Sequence, residues 1–541
     1  MIRRLLLLVA AALTLGIPAE AQAPQGTLVM ALRQDAPRPV PYLGPATTSN
    51  GDVTDQLFLR LAGLGPRSST IGDNALVPEL ASRWFRQDSL TVDFVLNPAA
   101  RWHDGTPVTS RDVTFAWETL RKPVLAVTQA PFELIESVRA IGTGTVRVRF
   151  RRPSSEQVYV AGFLLQPLPA HLLANVPTDS LTSSEFARSP VGNGPYRFER
   201  RDPGRSLELR AVDNFFLGTP GIARLIFRLA VGTDAQVNLL QSGELDVMSD
   251  VPAVALARVS ALRDHRIVTA PGNFITNVVF NSRAANDSAR PHPILGEQRV
   301  RQALALALDR QLIARTAFGP SAETPRAIRS QAWYWLGGAR DAGTADRARA
   351  RALLREAGWR DSNGDGILDR NGQDLTIGVI YPVQSSVFAG IAVQLEQMWR
   401  TVGVQAALEP IDGAVWGTRR TAGRFDVDIT GANQDPSPSS LIQSWSCASA
   451  AQAGSSNVGR WCDPEFDRLL RAAPTAADPT AAFRAAMVRM STWQPAVVAA
   501  APVNRVVVHK RYDNVMVRSS RAWTALWQWR LRPGAALPRD R

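Results

Sequence analysis

The chain has 541 residues, of which 45% are hydrophobic and 20% charged, and its formal net charge is +13. This length exceeds the size at which one hydrophobic core stops growing, so two or three domains are expected, and the apolar content excludes a disordered chain. The arginines are scattered singly or in pairs, and lysine occurs only at Lys122 and Lys510. Without a basic helix or an aromatic-interleaved basic patch, the charge does not indicate nucleic-acid binding. It can still attract anionic ligands over long range.

The first 23 residues have the pattern of a secretory signal peptide. Arg3 and Arg4 precede an apolar run over 5–17, and Ala-Gln-Ala at 21–23 is an A-x-A cleavage site. The apolar run is too short to cross a membrane. No cysteine follows it, so a lipid anchor is not expected. We therefore expect an exported protein whose mature chain starts near Pro24.

Two alternating segments flank a helical signature. Apolar and polar residues alternate over 90–96 and 146–150, which predicts strands. Between them, "RWHDGTPVTSRDVTFAWETL" (101–120) contains a turn at 103–105, where His103 is predicted to be solvated or capping rather than a metal ligand. Thr109 and Asp112 then have capping-box spacing. The helix that follows is predicted to bury a stripe at i, i+3, i+4 and i+7, formed by Val113, Ala116, Trp117 and Leu120.

The second half of the chain adds longer helical patterns. "EQRVRQALALALDRQLIARTAFG" (297–319) predicts one helix ending at Gly319, whose inward residues are Val300, Ala303, Leu304, Ala307, Leu308 and Leu312. A further helix is predicted around 344–357, and "LTIGVIY" (375–381) predicts a strand. Helices mixed with short strands over this length indicate an α/β protein with several domains.

The connection after that helix resembles a calcium loop. Asp361, Asn363 and Asp365 occupy loop positions 1, 3 and 5, and Gly366 follows at position 6. Position 12, which should be a bidentate Glu, is Gly372. The alternative is a polar turn, since Asn-Gly and Asp-Gly dipeptides favour turns. Because the stretch joins a helix to a strand rather than two helices, we predict a turn.

The two cysteines, Cys447 and Cys462, are close in sequence. In an oxidising compartment such a pair predicts one disulfide, and the alternative is two buried free thiols.

Motifs of catalysis are missing from the sequence. It has no G-x-S-x-G elbow, no H-E-x-x-H and no phosphate-binding G-x-x-x-x-G-K, and its five histidines are widely spaced. An enzyme, a metal site and a bound cofactor are therefore not expected.

Several segments, in order along the chain, resemble the extracellular solute-binding protein family 5, the dipeptide-, oligopeptide- and nickel-binding proteins of ABC importers. The most specific is "RWHDGTPVTSRDVTFAW". It is followed by "LPAHLL" (168–173), "SPVGNGPYRFER" (189–200), "VNLLQSGELDVMSDVP" (237–252), "RVRQALALALDRQLI" (299–313) and "CDPEFDRLL" (462–470). In the segment 189–200, Asn193 stands where a small hydroxyl residue is more usual.

The resemblance implies a periplasmic-binding-protein type II-like α/β fold, with two lobes joined by a hinge. Domain I would be discontinuous (24–66, 191–283 and 500–541), domain II would be 67–190, and domain III, the second lobe, would be 284–499. The protein would be a periplasmic, monomeric component that captures a peptide or peptide-like ligand and delivers it to an inner-membrane permease. Within the family, the alternatives are a metal chelate, haem or an oligosaccharide. An exported hydrolase and a periplasmic sensor partner are alternatives of other classes.

The resemblance also suggests where the ligand would lie. Peptide binders of this family carry a W-x-A-D-Y-x-x-P stretch whose Asp pairs with the peptide amino group. The matching region, "DITGANQDPSPSSL" (428–441), has Gly431 near the tryptophan position, and either Gln434 or Asp435 falls at the Asp position. Alternatively, Asp435-Pro436 is only a turn. The full set of expected ligand-binding residues is Asn433, Gln434, Asp435, Trp335, Tyr334, Asn277, Thr276 and Trp416. Core packing is the alternative for the tryptophans, and a solvent-facing strand position is the alternative for Asn277.

Overall fold

The computed structural model describes residues 23–540, apart from 124, 126–128, 271, 286, 325–343, 453 and 519–520. Residues 1–22 of the expected signal peptide and the expected site residues Tyr334 and Trp335 lie outside the described residues. Among the described residues, no helix is long and apolar enough to cross a lipid bilayer.

The first large sheet has seven strands and is mixed. Thr27–Leu32 pairs in parallel with Arg224–Leu229 and Val247–Met248, and the outer strands are antiparallel. The strand order is His265–Ala270, Asn504–His509, Val247–Met248, Thr27–Leu32, Arg224–Leu229, Ser206–Ala211 and Tyr196–Asp202.

The second sheet has four antiparallel strands, in the order Ala81–Asp88, Thr91–Leu96, Thr145–Phe150 and Ile135–Ile141. Helix Ser110–Leu120 packs on it, and its four predicted inward residues are buried. The capping box is confirmed, because the Asp112 carboxylate accepts the Thr109 N–H at 2.8 Å. Asp93, on the face predicted to be polar, is also buried and is bound by the Arg147 guanidinium at 2.8 Å. One hydrophobic core runs through this sheet and the seven-stranded sheet, so together they form the first lobe.

The five-stranded sheet forms the second lobe and has a separate core on each face. Its strand order is Gln405–Ile411, Thr376–Pro382, Val427–Asn433, Phe274–Phe280 and Ala496–Ala500. The longer helices around it are Gln298–Leu306, Arg310–Phe318, Arg347–Glu356, Ser386–Arg400, Gly413–Thr421, Pro464–Ala472 and Pro479–Trp493. The expected two-lobed α/β fold is confirmed.

The prediction of one helix over 297–318 is wrong. The chain forms Gln298–Leu306 and then Arg310–Phe318, and Asp309 caps the second helix by accepting the Leu312 N–H at 2.9 Å. An aspartate side chain that captures a backbone N–H competes with continuation of the first helix. The break changes the direction of the following turn, so Leu312 is 45% exposed instead of buried.

The calcium-like stretch is a turn between a helix and a strand. The Asp361 carboxylate accepts the backbone N–H groups of Gly364 and Gly366, at 2.7 and 3.1 Å. Both glycines have positive φ, which suits a tight turn. The carboxylate that would be the first calcium ligand is thus engaged with its own loop.

Cys447 and Cys462 form a disulfide, as predicted. It joins the start of helix Cys447–Ala451 to the residue before Asp463, which caps helix Pro464–Ala472.

The Gly-Asn-Gly stretch at 192–194 fastens the signature turn to the first domain. The Asn193 side chain accepts the Leu59 N–H at 2.8 Å. His103 contacts the carbonyl of Gly194 through Nε2 at 3.0 Å and accepts the Gly192 N–H through Nδ1 at 3.1 Å. Burial lowers the pKa of His103 to about 4, so the ring is a neutral structural bridge rather than a solvated side chain.

The chain passes between the two large sheets twice, at 272–273 and at 501–503. Gly272 lies against the second crossing, because a Cβ at this position would be 2.1 Å from the Pro502 carbonyl oxygen. The three-domain division stays a prediction, but strand pairing bears on one of its boundaries. Phe274–Phe280 pairs with Val427–Asn433 in the second lobe, although the expected boundary at 283 assigned it to domain I.

Candidate functional site

The crossings enter the second lobe at one edge of its sheet. Three strands of this sheet are parallel: Thr376–Pro382, Gln405–Ile411 and Val427–Asn433. Asn433 pairs with Phe274, so the carboxyl ends of these strands lie where the first crossing arrives. In open α/β sheets, ligands bind in the crevice outside the carboxyl ends of the strands. The edge beside the crossings is therefore the candidate ligand site.

Asn433, Gln434 and Asp435 lie at this edge. Asn433 is exposed, and Gln434 is half-buried, with its N–H donating to the Asn273 carbonyl in the crossing at 2.6 Å. The exposed Asp435 accepts the Ser437 N–H at 2.7 Å, which is the local turn expected as the alternative. Asp435 can therefore form this turn and also line the cleft.

Thr276 and Asn277 are central in the sheet and point to opposite faces. Asn277 is 7% exposed, so the solvent-facing alternative is wrong. Thr276 is fully buried and lies opposite Gly431 on the neighbouring strand. Within the described part of the chain, Thr276 Oγ1, Asn277 Oδ1 and Gln434 Oε1 are all buried without a hydrogen-bond partner. Buried polar atoms in proteins are normally paired, so the amide oxygens of Asn277 and Gln434 are available to a partner from elsewhere.

Trp416 belongs to a polar network below this edge. Its indole N–H donates to Asp428 Oδ1 at 2.7 Å, and Arg420 donates to Asp428 Oδ2 at 3.0 Å while lying 4.8 Å from the Trp416 ring. Burial raises the pKa of the Asp428 carboxyl, and the Arg420 charge opposes that rise. Trp416 is therefore fixed by Asp428 and Arg420 on the sheet face that also carries Asn277.

The first lobe contacts the second through a segment that sequence reasoning missed. The Ser155 N–H donates to the Pro474 carbonyl of the second lobe at 2.8 Å. Glu156, which is 2% exposed, accepts the Thr70 hydroxyl at 2.6 Å and lies beside Ser437 and Ser439 of the second lobe. Burial raises the pKa of Glu156, and the charge of Asp435 across the cleft raises it further.

The same segment continues as a π-helical turn, Tyr159–Leu164, which is the kind of irregularity often found at functional sites. The Tyr159 and Phe163 rings stack with centroids 5.3 Å apart. Burial raises the pKa of Tyr159, and so do the charges of Asp435 and Glu156. The sequence does contain one signal for this segment, namely a single Glu at the start of the apolar run "EQVYVAGFLL" (156–165). Such a run is usually buried, and a charged residue is seldom buried without a role.

Two lobes joined by two adjacent crossings, with unpaired polar atoms where they meet, define a cleft-type ligand-binding protein rather than a rigid single-core domain. The sequence agrees with this class. The model of the Bacterial extracellular solute-binding proteins, family 5 Middle, matches residues 75–453. The chain belongs to this family.

Two curated relatives illustrate the distance within the family. The oligopeptide-binding protein AppA of Bacillus subtilis is 25% identical over 346 residues, covering 63% of this chain and 62% of that protein. The probable ABC transporter periplasmic-binding protein SapA of Escherichia coli is 25% identical over 462 residues, covering 79% of each chain. The match thus spans less than two thirds of AppA.

Solved structures show the same fold. AppA from Bacillus subtilis in complex with a nonapeptide superposes with a TM-score of 0.74 at 21% identity, covering 94% of this chain and all of that one. NikZ from Campylobacter jejuni in complex with Ni(L-His) superposes with a TM-score of 0.75 at 21% identity, with the same coverage. The family consists of solute-binding proteins, which is consistent with the expectation that the chain is not an enzyme.

Proposed function

We propose that this protein is a periplasmic, monomeric receptor that captures a peptide or peptide-like ligand between its lobes and delivers it to an inner-membrane ABC permease. The observation that carries the proposal is the pair of buried amide oxygens of Asn277 and Gln434, which have no hydrogen-bond partner within the described residues. The two amide oxygens are acceptors, and a peptide backbone supplies N–H donors. Relatives named as oligopeptide-binding and periplasmic-binding proteins support the ligand class and the compartment.

Capture would work through an open–closed equilibrium. The two crossings, at 272–273 and 501–503, are short and adjacent, so they can act as a hinge while each lobe keeps its own core. A ligand that touches both lobes gains its full contacts only in the closed form. It therefore shifts the equilibrium by the difference between its affinities for the two forms.

Two carboxyl groups facing each other across the cleft support a ligand with a cationic group. Asp435 belongs to the second lobe and Glu156 to the first, and their charges oppose each other when the lobes meet. A ligand ammonium placed between them would offset this repulsion and favour closure. Of the two candidates for the amine anchor, we propose Asp435, because a carboxylate gives the charge-assisted bond that Gln434 cannot.

The test uses the mature protein, unfolded and refolded to remove any bound ligand. We expect a pool of tripeptides to raise the melting temperature and to lower the radius of gyration in small-angle scattering. Gln434→Ala should weaken the effect, whereas Gln405→Ala, an exposed position at the opposite end of the sheet, should not.

Native mass spectrometry of the protein isolated from its own periplasm reports the mass of any trapped ligand. The peptide proposal fails if the pool has no effect while a nickel chelate or an oligosaccharide stabilises the protein. Recovery of a chemically altered compound would favour the hydrolase alternative instead.

A further inference from the structure

A cavity in the first lobe lies where the two domains of that lobe meet. Its volume is about 170 Å³, and its walls include Arg60, Glu79, Phe163, Arg518 and Arg521. The rest of the wall is largely apolar, with Leu59, Leu64, Val77, Pro78, Leu217, Ala525 and Trp527. Taking about 30 Å³ per water, the space corresponds to roughly five or six waters, enough for a small organic group.

Three guanidinium groups line this cavity, opposed by two carboxylates, Glu79 in the wall and Asp55 just outside it. Arg60 donates to the Phe163 carbonyl at 2.6 Å and lies 3.7 Å from the Asp55 carboxylate. Arg521 donates to the same carboxylate at 2.7 Å. Arg518 donates to the Leu64 carbonyl at 2.8 Å, and a carbonyl does not neutralise its charge.

The positive charge of the wall is incompletely balanced. Three guanidiniums face two carboxylates, and burial lowers the pKa of Arg60 and lowers that of Arg521 to about 10, while the charges of Glu79 and Asp52 oppose these shifts. Glu79 accepts the Arg60 backbone N–H at 2.8 Å, and burial raises its pKa, so its negative charge is itself disfavoured. Buried charges are normally paired, and here an additional anion would complete the pairing.

Two stacked aromatic rings, Phe163 and Tyr159, lie between the cavity and the cleft. Arg60 lies 4.3 Å and Arg521 lies 5.6 Å from the centre of the Phe163 ring, which also stacks on Tyr159. Tyr159 is close enough to Asp435 in the second lobe for that charge to raise its pKa. A molecule held at the Glu156–Asp435 contact is thus separated from the arginine cavity by these two rings.

We propose that this cavity is a carboxylate-binding subsite, in which Arg518 holds the anion and the apolar wall holds the carbon atoms next to it. A carboxylate suits the planar, two-pronged donor geometry of a guanidinium. The apolar wall favours an organic acid over a fully hydrated inorganic anion. Two sources share this chemistry, namely the carboxyl end of the cleft ligand and a free carboxylic acid. The first source rests on the proposed function, and the second does not.

Propionate is the probe, with propionamide as its uncharged counterpart, at constant ionic strength. We expect propionate to raise the melting temperature of the mature protein and propionamide to leave it unchanged. Arg518→Gln should weaken the apparent affinity for propionate by about tenfold, the size expected for one lost charge-assisted hydrogen bond. The control is Arg205→Gln, which removes an arginine whose side chain is 81% exposed and should behave as the wild type.

Equal propionate effects in R518Q, R205Q and the wild type would overturn the proposal, as would an equal effect of propionamide. If R518Q does not fold, Arg518→Lys keeps the charge and removes the two-pronged geometry, and the same loss of affinity is expected.

A second comparison identifies the source of the carboxylate. A tripeptide with a free carboxyl end is compared with its C-terminal amide, in the wild type and in R518Q. A preference for the free acid that disappears in R518Q supports a cleft ligand that reaches the cavity. Equal binding of acid and amide, with Arg518-dependent propionate binding, supports a separate carboxylic acid. If no tripeptide binds, the peptide proposal fails, and the propionate result still decides whether the subsite exists.

Discussion

Asp52 is the position at which the structure makes its sharpest prediction about pH. It lies in helix Thr48–Leu57, and its pKa is raised from 3.8 to about 7, mainly by burial and further by the charge of Asp250. A hydrogen bond from Trp523 and the charges of Arg521 and Arg33 oppose this rise. The ionised form is therefore disfavoured in the folded protein. We predict that Asp52→Asn stabilises the protein at alkaline pH and has little effect in acid.

The size of the effect follows from the two pKa values. A carboxyl whose pKa is raised on folding adds stability below its unfolded pKa, and this contribution is lost as the pH rises through the folded value. The full rise to about 7 corresponds to ~4 kcal/mol above pH 7. Because Asp52 is only half-buried, solvent screening reduces this figure, and we expect about 2 kcal/mol. The amide oxygen of the substituted side chain can still accept the Trp523 bond, so the substitution removes mainly the charge.

The assay is urea unfolding at pH 5, 6, 7 and 8, comparing the wild type with Asp52→Asn. The difference in unfolding free energy should grow with pH across this range and level off near pH 8. Asp179→Asn, which changes an exposed aspartate, is the control and should show no such trend. A constant difference across the range would refute the reasoning, because it would mean that the Asp52 carboxyl is solvated in the folded protein.

Two further predictions concern the hinge and the disulfide. Gly272→Ala should destabilise the protein by about 1–3 kcal/mol and raise the radius of gyration of the ligand-free form, because the new Cβ would lie 2.1 Å from the Pro502 carbonyl oxygen. Gly417→Ala, in a helix with open space around it, is the control and should be neutral or stabilising; equal effects of the two changes would exclude a special role for the crossing. Replacing both Cys447 and Cys462 by Ser should lower the free energy of unfolding in urea by about 3 kcal/mol, because the bridge closes a loop with a sequence separation of 15. An unchanged unfolding midpoint would show that the bridge does not constrain the unfolded chain.

Local patterns predicted the elements whose residues interact within a few positions. The capping box of Thr109 and Asp112 and the apolar stripe of the helix after it were correct because capping and periodicity are short-range effects. The helix break at Asp309 was missed because the apolar periodicity alone does not show it. The apolar pattern continues to Leu308 before the break, and the capping bond from Leu312 to Asp309 depends on geometry that periodicity does not encode.

The site was less predictable because its residues come from both lobes. The resemblance led to the strand end at 433–435, but it gave no indication of Glu156 on the facing lobe. Arg60 and Arg521 are more than 450 positions apart in the sequence and approach the same Phe163 ring. No local pattern contains such a pairing, since it depends on how segments distant in the sequence pack together within one lobe.

The position of the missing tryptophan of the peptide-binder motif shows that an aromatic ring can be supplied by a different strand of the sheet. Near that position this chain has Gly431, and a Cβ there would lie 2.2 Å from Cζ of Phe274. The Phe274 ring, from the neighbouring strand, thus occupies the space that a side chain on residue 431 would need. Because the two strands are paired, an aromatic group can be supplied from either one. A glycine in the motif therefore does not mean that the cleft edge lacks an aromatic ring, and the two positions have to be compared as a pair between relatives.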